Sequence, residues 1–292
     1  MKRIALAVNG VPDDRNPMRP EEYVIRDTLV ARGCDAAFVD WRAPVDWAAY
    51  DAVILRTLFG YYEAQEEYRA WLDAREKDGS KLFNPAPVVR WNMDKRYLRE
   101  LEAAGFHLPP TAWVEQGEEA SLAGILRQHG WEKVVVKPVI SAGAWKTWVT
   151  DPVKADGEEA EFEELLAHSG AIIQPFLEEV VRDGEISLLF FGGTFSHSVL
   201  KRAKAGDFRI QDVHGGTYAL YQEDMEMRRL AANILAEVEK LTGSSLLYGR
   251  VDGIVKEGRF LLMEVEVIEP FLYLVVEKAA MGRYVDAVLS SL

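Results

Sequence analysis

Residues 260–270 have the sequence FLLMEVEVIEP, in which glutamates interrupt an apolar, strand-like run. Because side chains alternate along a strand, Glu264 and Glu266 are expected on one face, with Leu262 before them and Ile268 after them. Two like charges side by side on an apolar strand repel each other and lose hydration. We therefore expect a strand whose carboxylates are compensated by a metal ion or by cationic side chains.

A second predicted strand lies just upstream, at residues 246–255, and holds Arg250 and Asp252 on one face. Pairing the two strands through a turn at residues 256–258 would bring Asp252 near both glutamates. Three carboxylates without a thiol or an imidazole suit hard magnesium ions that are held jointly with substrate phosphates. The alternative is a salt-bridge cluster in which Arg250 and other cations neutralise the acids.

Small and cationic residues follow the ends of other predicted strands. Residues 133–136 predict a strand that runs directly into Lys137, and a lysine at that position is costly to bury unless it meets an anion. The next residues, 139–144, are small and turn-like, so their backbone N–H groups could contact phosphate oxygens. An ordinary β-turn is the alternative for this loop.

A further group of cations follows a predicted β-hairpin. Residues 184–191 and 195–201 predict its two strands, joined by Gly192 and Gly193. A solvated edge could account for any one of the polar residues after these strands, but their recurrence predicts an anion pocket. The residues at the end of the hairpin and beyond it are Lys201, Arg202, Arg209, Gln211, His214, Gly215 and Gly216.

The first third of the chain alternates between strand and helix patterns. Strands are predicted at residues 3–8, 36–39 and 52–55, and helices at residues 21–32 and 63–75, an order typical of parallel βαβ units. Neither GxGxxG after the first strand nor GxxxxGK[ST] is present, so the two commonest nucleotide-binding motifs are excluded. The sequence NPAP at residues 84–87 then predicts a domain edge.

Polar residues near the ends of these first strands are candidates for substrate binding. In open α/β sheets, ligands bind beyond the carboxyl ends of the strands, where Asn9, Arg56 and Tyr61 are expected. Arg56 directly follows a predicted strand and could hold a substrate carboxylate by a two-point contact. The alternative is a surface arginine that is paired with an acid.

Composition restricts the class of protein. The 292 residues include 34 Lys and Arg against 47 Asp and Glu, and the net charge of −13 argues against a broad basic face for nucleic acid. No apolar run reaches the ~18 residues of a membrane span, and the first residues become polar too early for a signal peptide. A single cysteine, Cys34, excludes an intrachain disulfide and a multi-cysteine zinc site. We expect a reduced, cytoplasmic protein without a nucleic-acid or membrane partner.

The order and spacing of these motifs resemble the ATP-grasp superfamily over essentially the whole chain. The resemblance is closest to the glutathione-synthetase-like ligases and, within them, to the cyclo-ligases of the D-cycloserine type and their relatives. The motifs that carry it are Asp94-Lys95, Val135-Val136-Lys137-Pro138, Gln174-Pro175-Phe176-Leu177, Arg250-Val251-Asp252 and Glu264-Val265-Glu266, together with residues 90–98 and 264–270. The sequence departs from the family at Glu266, where many members have Asn, at the Gln174-Pro175 hinge and in the glycine-poor loop 141–144.

This resemblance implies a fold that combines α/β and α+β parts. An N-terminal domain with a parallel sheet would comprise residues 1–90. Two ATP-grasp lobes, at residues 91–170 and 171–292, would clasp ATP between them.

The resemblance also implies a role for each motif, with ATP and two magnesium ions as cofactors and manganese as a substitute. Asp252, Glu264 and Glu266 would hold the metal ions. The residues around ATP would be Lys95 and Lys137 at the phosphates, Ser141 in the loop over them, Gln174, Phe176 and Leu177 at the adenine, and Glu185 at the ribose. The residues at the transferred phosphate would be Lys137, Arg202 and Arg209. Independently of the resemblance, positions near strand ends and beside glycines make Asn9, Arg56, His214 and Gly215 the candidates for substrate binding.

Ligases of this family convert a carboxylate into an acylphosphate with ATP and let an amine-type nucleophile displace the phosphate. We therefore expect a ligase that acts on a small amino-acid-like substrate, with amide formation or ring closure as the outcome, and a chain that can form a homodimer. Two alternatives are a ligase that adds amino acids to a peptide or protein, and a nucleotide-binding regulatory protein without turnover.

Overall fold

The computed structural model describes residues 1–13, 18–204, 207, 209 and 215–292. Its first sheet has four parallel strands in the order β2-β1-β3-β4, which confirms the βαβ prediction. In the described residues up to position 83, the five predicted strands and helices are present, and each begins and ends within three residues of its predicted bounds. The short strand β4 was not predicted. The elements are β1 (Arg3–Val8), α1 (Pro20–Ala31), β2 (Asp35–Asp40), β3 (Ala52–Leu55), α2 (Gln65–Asp78) and β4 (Leu82–Phe83).

The second sheet is antiparallel, with strand order β5-β8-β6-β7. Its last strand, β8, begins at Ala171, so this sheet extends one strand past the predicted boundary at residue 170; the domain bounds themselves stay predictions. The elements are α3 (Ala86–Met93), α4 (Tyr97–Ala103), β5 (Ala112–Val114), α5 (Leu122–His129), β6 (Val134–Pro138), β7 (Trp148–Thr150), α6 (Pro152–Ala155), α7 (Glu159–His168) and β8 (Ala171–Pro175).

The third sheet is also antiparallel, with strand order β11-β10-β9-β12-β13. The predicted hairpin is present as β9 and β10, and Gly192 and Gly193 between them take positive φ angles of 54° and 73°, which glycine adopts without strain. The elements are α8 (Glu178–Arg182), β9 (Glu185–Phe191), β10 (Thr194–Arg202), β11 (Thr217–Tyr221), α9 (Met225–Thr242), β12 (Tyr248–Lys256), β13 (Arg259–Glu266) and α10 (Ala280–Ser290).

Helix α9 covers one face of the third sheet. Asp224 accepts the backbone N–H of Met227 at 2.7 Å and so begins the helix, and Gly243 ends it. Met227, Ala231 and Ile234 recur at helical spacing and pack in one core with strand residues of β9, β12 and β13. None of the helices within the described ranges is long and apolar enough to cross a membrane.

Strands β12 and β13 pair as predicted, with Asp252 opposite Glu264 and Arg250 opposite Glu266. The position predicted for Leu262 is wrong, because the register shifts after Asp252 and Gly253 pairs with Leu262. The extra residue, Met263, forms a β-bulge.

The bulge decides which side chains share a face. Leu262 packs in the core with Phe260 and Val265, whereas Met263 lies beside Glu264 on the opposite side. One inserted residue therefore separates the apolar half of β13 from its carboxylate half.

The segment that was predicted to be a domain edge is anchored in the core. Asn84 is fully buried, and its side-chain amide donates to the carbonyls of Tyr248, at 2.9 Å, and Val267, at 2.7 Å. Its side-chain oxygen accepts the N–H of Leu247 at 2.7 Å. Asn84 thereby ties the end of the first sheet to the start of β12 and the end of β13.

Candidate active site

A cavity of about 500 Å³ opens between the second sheet, the third sheet and connecting segments of the first part of the chain. Residues before position 90, residues of the second sheet and residues of the third sheet all contribute to its wall. The polar side chains that line it are Arg19, Tyr61, Tyr62, Asn92, Lys95, Lys137, Ser141, Thr147, Gln174, Glu185, Lys201, Arg209, Arg250, Asp252, Glu264, Glu266, Glu269 and Tyr273.

Most residues that were assigned to ATP and metal lie in this wall. The resemblance placed them together, and the structure brings them around one space. They are Lys95, Lys137, Ser141, Gln174, Phe176, Leu177, Glu185, Arg209, Asp252, Glu264 and Glu266.

Asp252 is the most densely bonded of the carboxylates. It accepts hydrogen bonds from Lys201 at 2.9 Å, Arg250 at 2.8 Å and Ser187 at 2.6 Å. Burial opposes its ionisation, but Arg250 and Lys201 outweigh burial and lower its pKa. Burial likewise opposes the charge on Lys201, whose pKa is nevertheless raised by Asp252 and Glu185. These shifts favour the charged forms of Asp252 and Lys201, whereas burial raises the pKa of Glu185 in the same network.

The two glutamates of β13 are also paired with cations. Glu264 lies 3.0 Å from the Nζ atom of Lys95, and Glu266 bonds to Arg250. Burial raises the pKa of Glu266 to about 7, against the lowering effect of Arg250. The side chains thus form the salt-bridge cluster that was the alternative to a metal site.

Within the described residues, no group of three or more His, Cys, Asp and Glu side chains is arranged to hold a metal ion. The donor set still fits magnesium chemically, because it consists of carboxylate oxygens. Magnesium is usually held by one or two protein carboxylates together with substrate phosphates, so its ligands need not be assembled before the nucleotide binds. The magnesium assignment stays a prediction.

Lys137 is the cation of the cluster that remains available. Unlike Lys95 and Lys201, it forms no ion pair with the described residues. Burial lowers the pKa of its ammonium group, against the raising effect of Glu264. An anionic ligand beside Lys137 would offset this cost of burial.

The loop after Lys137 is held to the cluster by its backbone. The Nζ atom of Lys95 donates to the carbonyl of Ser141 at 2.6 Å, and the hydroxyl of Ser141 donates to the carbonyl of Pro138 at 3.2 Å. Gly143 and Ala144 then take positive φ angles of 60° and 63°. Successive residues of this kind turn the backbone sharply, as in loops whose N–H groups face anions.

The predicted adenine site is narrowed by hydrogen bonds within the chain. Gln174 is buried and donates to the hydroxyl of Thr111 at 2.9 Å, so its side-chain oxygen and its second amide N–H stay candidates for contact with a base. The backbone N–H of Phe176 donates to the carbonyl of Lys133 at 2.8 Å and is therefore not a donor for adenine. The backbone carbonyl of Phe176 and the backbone of Leu177 stay predicted contacts of adenine.

The assignment of Arg202 is wrong, because the cation of β10 that reaches the cavity is Lys201. Lys201 is buried opposite Glu185, whereas Arg202 is exposed and does not line the cavity. Neighbouring residues of a strand face opposite sides, so only one of the two can point inward. The sequence did not separate the two, because apolar Val199 precedes Lys201 by two residues and apolar Leu200 precedes Arg202 by two.

Arg56 does not reach the cavity either. It is 1% exposed and donates to Glu22 at 2.7 and 2.9 Å, with Glu21 3.6 Å away. The two-point contact that was predicted for a substrate carboxylate is made to Glu22 instead. The prediction of a substrate role is therefore wrong, and the alternative holds in a modified form: Arg56 pairs with acids, but in the core.

Other predicted substrate residues are placed elsewhere or lie outside the described residues. The side-chain amide of Asn9 donates to the carbonyl of Phe59, and its oxygen accepts from Arg42 at 2.8 Å, so both groups are used away from the cavity. Gly215 is exposed and does not line the cavity. His214 lies outside the described residues. Arg209 does line the cavity, where it bonds to Asp207.

Besides Lys201, the structure places three charged residues in the cavity wall that were not among the predicted site residues. Arg19 lies just before α1, and no periodic pattern marks it in the sequence. Glu269 follows β13, and its place beside a proline was the only local signal. Arg250 was named as a neutralising cation and bonds to both Asp252 and Glu266.

Comparison with known proteins identifies similar chains. The family model described as "D-cycloserine synthetase DcsG, N-terminal domain" matches residues 4–84. The cycloserine biosynthesis protein DcsG of Streptomyces lavendulae is 32% identical over 274 residues, which cover 89% of this chain and 90% of that protein. The crystal structure of D-cycloserine synthetase DcsG superposes with a TM-score of 0.86 at 28% identity and covers 99% of both chains.

A more distant similarity extends to another ligase. One crystal structure of the D-alanine–D-alanine ligase of Bacillus anthracis superposes with a TM-score of 0.71 at 16% identity, and a second, in complex with ATP, with a TM-score of 0.68 at 18% identity. In both comparisons, 99% of this chain and 97% of that chain are covered. At this level of identity the similarity concerns the fold, and it confirms the predicted ATP-grasp architecture.

Proposed function

The chain belongs to the family of the cycloserine biosynthesis protein DcsG and has the ATP-grasp fold, and from this we propose that it is an ATP-dependent ligase for a small amino-acid-like carboxylate. A carboxylate oxygen of the substrate attacks the γ-phosphorus of ATP, which gives an acylphosphate and ADP. The nitrogen of an amine-type nucleophile then attacks the acyl carbon, and phosphate and a proton leave. The product is an amide, or a ring where the nucleophile belongs to the same molecule.

The observation that carries this proposal is the charge pattern of the cavity. Lys95, Lys137, Lys201 and Arg250 line one cavity between the second and third sheets. Phosphoryl transfer requires positioning and charge neutralisation rather than a protein nucleophile. Cys34, the lone cysteine, is buried in the core of the first sheet, in agreement with a mechanism without covalent catalysis.

The cationic side chains have different roles in this reaction. Lys137 and Arg209 neutralise charge on the transferred phosphoryl group, and Lys95 holds the loop at Ser141 against the phosphates. Asp252, Glu264 and Glu266 are the oxygen donors for magnesium, which when bound would neutralise phosphate charge. Before the nucleotide binds, ion pairs with Lys95, Lys201 and Arg250 offset part of the cost of burying these acids.

The test is ADP release with magnesium across a panel of acids. The panel comprises amino acids, D-serine derivatives that carry an aminooxy group, and short peptides. We expect an acid-dependent rate with a small amino-acid derivative, and its loss in Lys137→Met. The matched control is Lys154→Met, which removes an exposed lysine on α6.

The other possible results would support a different function or a different phosphate site. Release that requires a peptide would make the chain a ligase that extends peptides. ATP binding by calorimetry without release for any acid would make it a regulatory protein. Unchanged turnover in Lys137→Met would show that the phosphates bind elsewhere.

A further inference from the structure

We propose that Glu269 binds the ammonium group of the substrate and so restricts this enzyme to amine-bearing acids. This inference rests on the proposed function, which it deepens by naming the substrate class. Glu269 lies in the cavity wall, after the strand that carries Glu264 and Glu266.

The carboxylate of Glu269 is only half used. One oxygen accepts the backbone N–H of Leu58, which fixes the side chain against the first part of the chain. The other oxygen, Oε1, is buried and has no hydrogen-bond partner within the described ranges. A buried carboxylate oxygen without a donor is costly, and a ligand that supplies a donor removes that cost.

Charge distinguishes Glu269 from the other acids around the cavity. Glu185 and Asp252 pair with Lys201, Glu264 with Lys95, and Glu266 with Arg250. In the part of the chain that the structure describes, Glu269 has no such cation. Burial raises the pKa of Glu269 well above its usual range, so a cationic ligand would stabilise its ionised form.

Aromatic side chains border the cavity together with Glu269. Tyr61, Tyr62 and Phe271 all line it. Aromatic faces attract cations, and the guanidinium of Arg19 already lies 4.2 Å from the ring centre of Phe271. A wall of one carboxylate and several aromatic rings suits an alkylammonium group.

The short separation between Glu266 and Glu269 along the chain limits the distance that the ligand must span. Glu269 is three residues beyond Glu266, and three extended residues span at most about 10 Å. A small amino-acid derivative fits between an ammonium site at Glu269 and a phosphoryl group at the cationic cluster. A long peptide is not required to connect them.

The experiment compares acids that differ only in the α-amino group. The two pairs are D-serine with 3-hydroxypropanoate, and β-aminooxy-D-alanine with 3-aminooxypropanoate. Their binding is measured by calorimetry to protein saturated with magnesium and a non-hydrolysable ATP analogue. We expect the wild type to prefer the amine-bearing acid of at least one pair by about 10- to 100-fold, the contribution of one charge-assisted hydrogen bond.

Glu269→Gln should remove this preference by weakening only the amine-bearing acid. Glutamine keeps an oxygen that accepts the N–H of Leu58, so the fold is retained, and an unchanged melting temperature verifies it. Glu163→Gln is the matched control, because it makes the same change at an exposed position on α7.

Three results would overturn the inference. The first is a wild type without preference in either pair, including a failure to bind any of the four acids. The second is a preference that Glu269→Gln retains. The third is an equal loss of both acids in Glu269→Gln, which would give Glu269 a structural role only. Because binding needs no turnover, a failure of ligase activity alone would overturn the proposed function and leave the Glu269-dependent preference measurable.

Discussion

Two arginines near the first sheet end in different surroundings, and we therefore expect different roles for them. Arg56 is enclosed with Glu22 in the core, whereas Arg19 lies in the cavity wall against Phe271. Arg56→Met leaves two buried glutamates without their cation and should lower the free energy of unfolding by about 3–5 kcal/mol, measured by urea denaturation. Arg19→Met should instead raise the KM of the acid substrate by about 10- to 100-fold and leave ATP affinity unchanged.

The two variants are each other's control, since both remove one guanidinium from the same part of the chain. A change of the substrate KM without loss of stability in Arg56→Met would contradict the structural role expected for Arg56. A loss of ATP affinity alone in Arg19→Met would contradict the substrate role expected for Arg19. Urea denaturation and steady-state kinetics of both variants distinguish these outcomes.

Sequence patterns place a residue in an element but do not settle such single-residue roles. Lys201 and Arg202 could not be separated in this way, because an apolar residue stands two positions before each of them on its own strand face. Arg19 lies just before α1, outside the periodic part of that helix. For Arg56, both the strand end and the first helix were predicted, but not the packing that brings Glu22 of this helix onto Arg56.

At the scale of the element, the bulge in β13 depends on Gly253. A Cβ atom at this position would lie 2.5 Å from the carbonyl oxygen of Leu261 and would overlap the ring of Phe260. Gly253→Ala should therefore cost about 1–3 kcal/mol of unfolding free energy by overpacking. It should also reduce turnover, because the neighbouring Asp252 belongs to the charged network of the cavity.

Gly282→Ala is the matched control for this substitution. Gly282 lies in helix α10, and a Cβ atom there would meet nothing within 4 Å. Alanine should stabilise that helix by about 0.5–1 kcal/mol. Equal effects of the two substitutions in thermal denaturation would contradict the role given to Gly253.

Strands and helices could be predicted from the sequence because periods of two and 3.6 persist over whole elements. The pairing of β12 with β13 and the position of Asp252 opposite Glu264 follow from that periodicity and a short turn. The bulge does not, because the alternation in residues 260–268 shows no break at Met263. Close packing around Gly253 fixes it, and that packing exists only in the folded chain.

On the scale of the whole molecule, a chain with a net charge of −13 must concentrate cations locally to bind a polyphosphate. The cavity does this with lysines and arginines from all three parts of the chain, several of which are paired with acids. We therefore expect nucleotide binding to stabilise the whole protein, by about 2.7 kcal/mol when ATP is at 100 times its Kd. The stabilisation should be larger with magnesium than with a chelator. When lysines and arginines turn from the carboxylates to the phosphates, magnesium replaces them beside the carboxylates.

Glu264→Gln and Glu266→Gln test this exchange of partners. Each removes one oxygen donor for the metal and releases Lys95 or Arg250 from its ion pair, so the magnesium-dependent part of the thermal shift should disappear while the shift with ATP and chelator is kept or enlarged. Glu163→Gln, at an exposed position on α7, should behave as the wild type in both conditions. If both cavity variants retained the full magnesium dependence at limiting metal, these carboxylates would serve only to neutralise cations. The salt-bridge cluster in the structure would then be the complete description of this strand pair rather than one state of a site that phosphates rearrange.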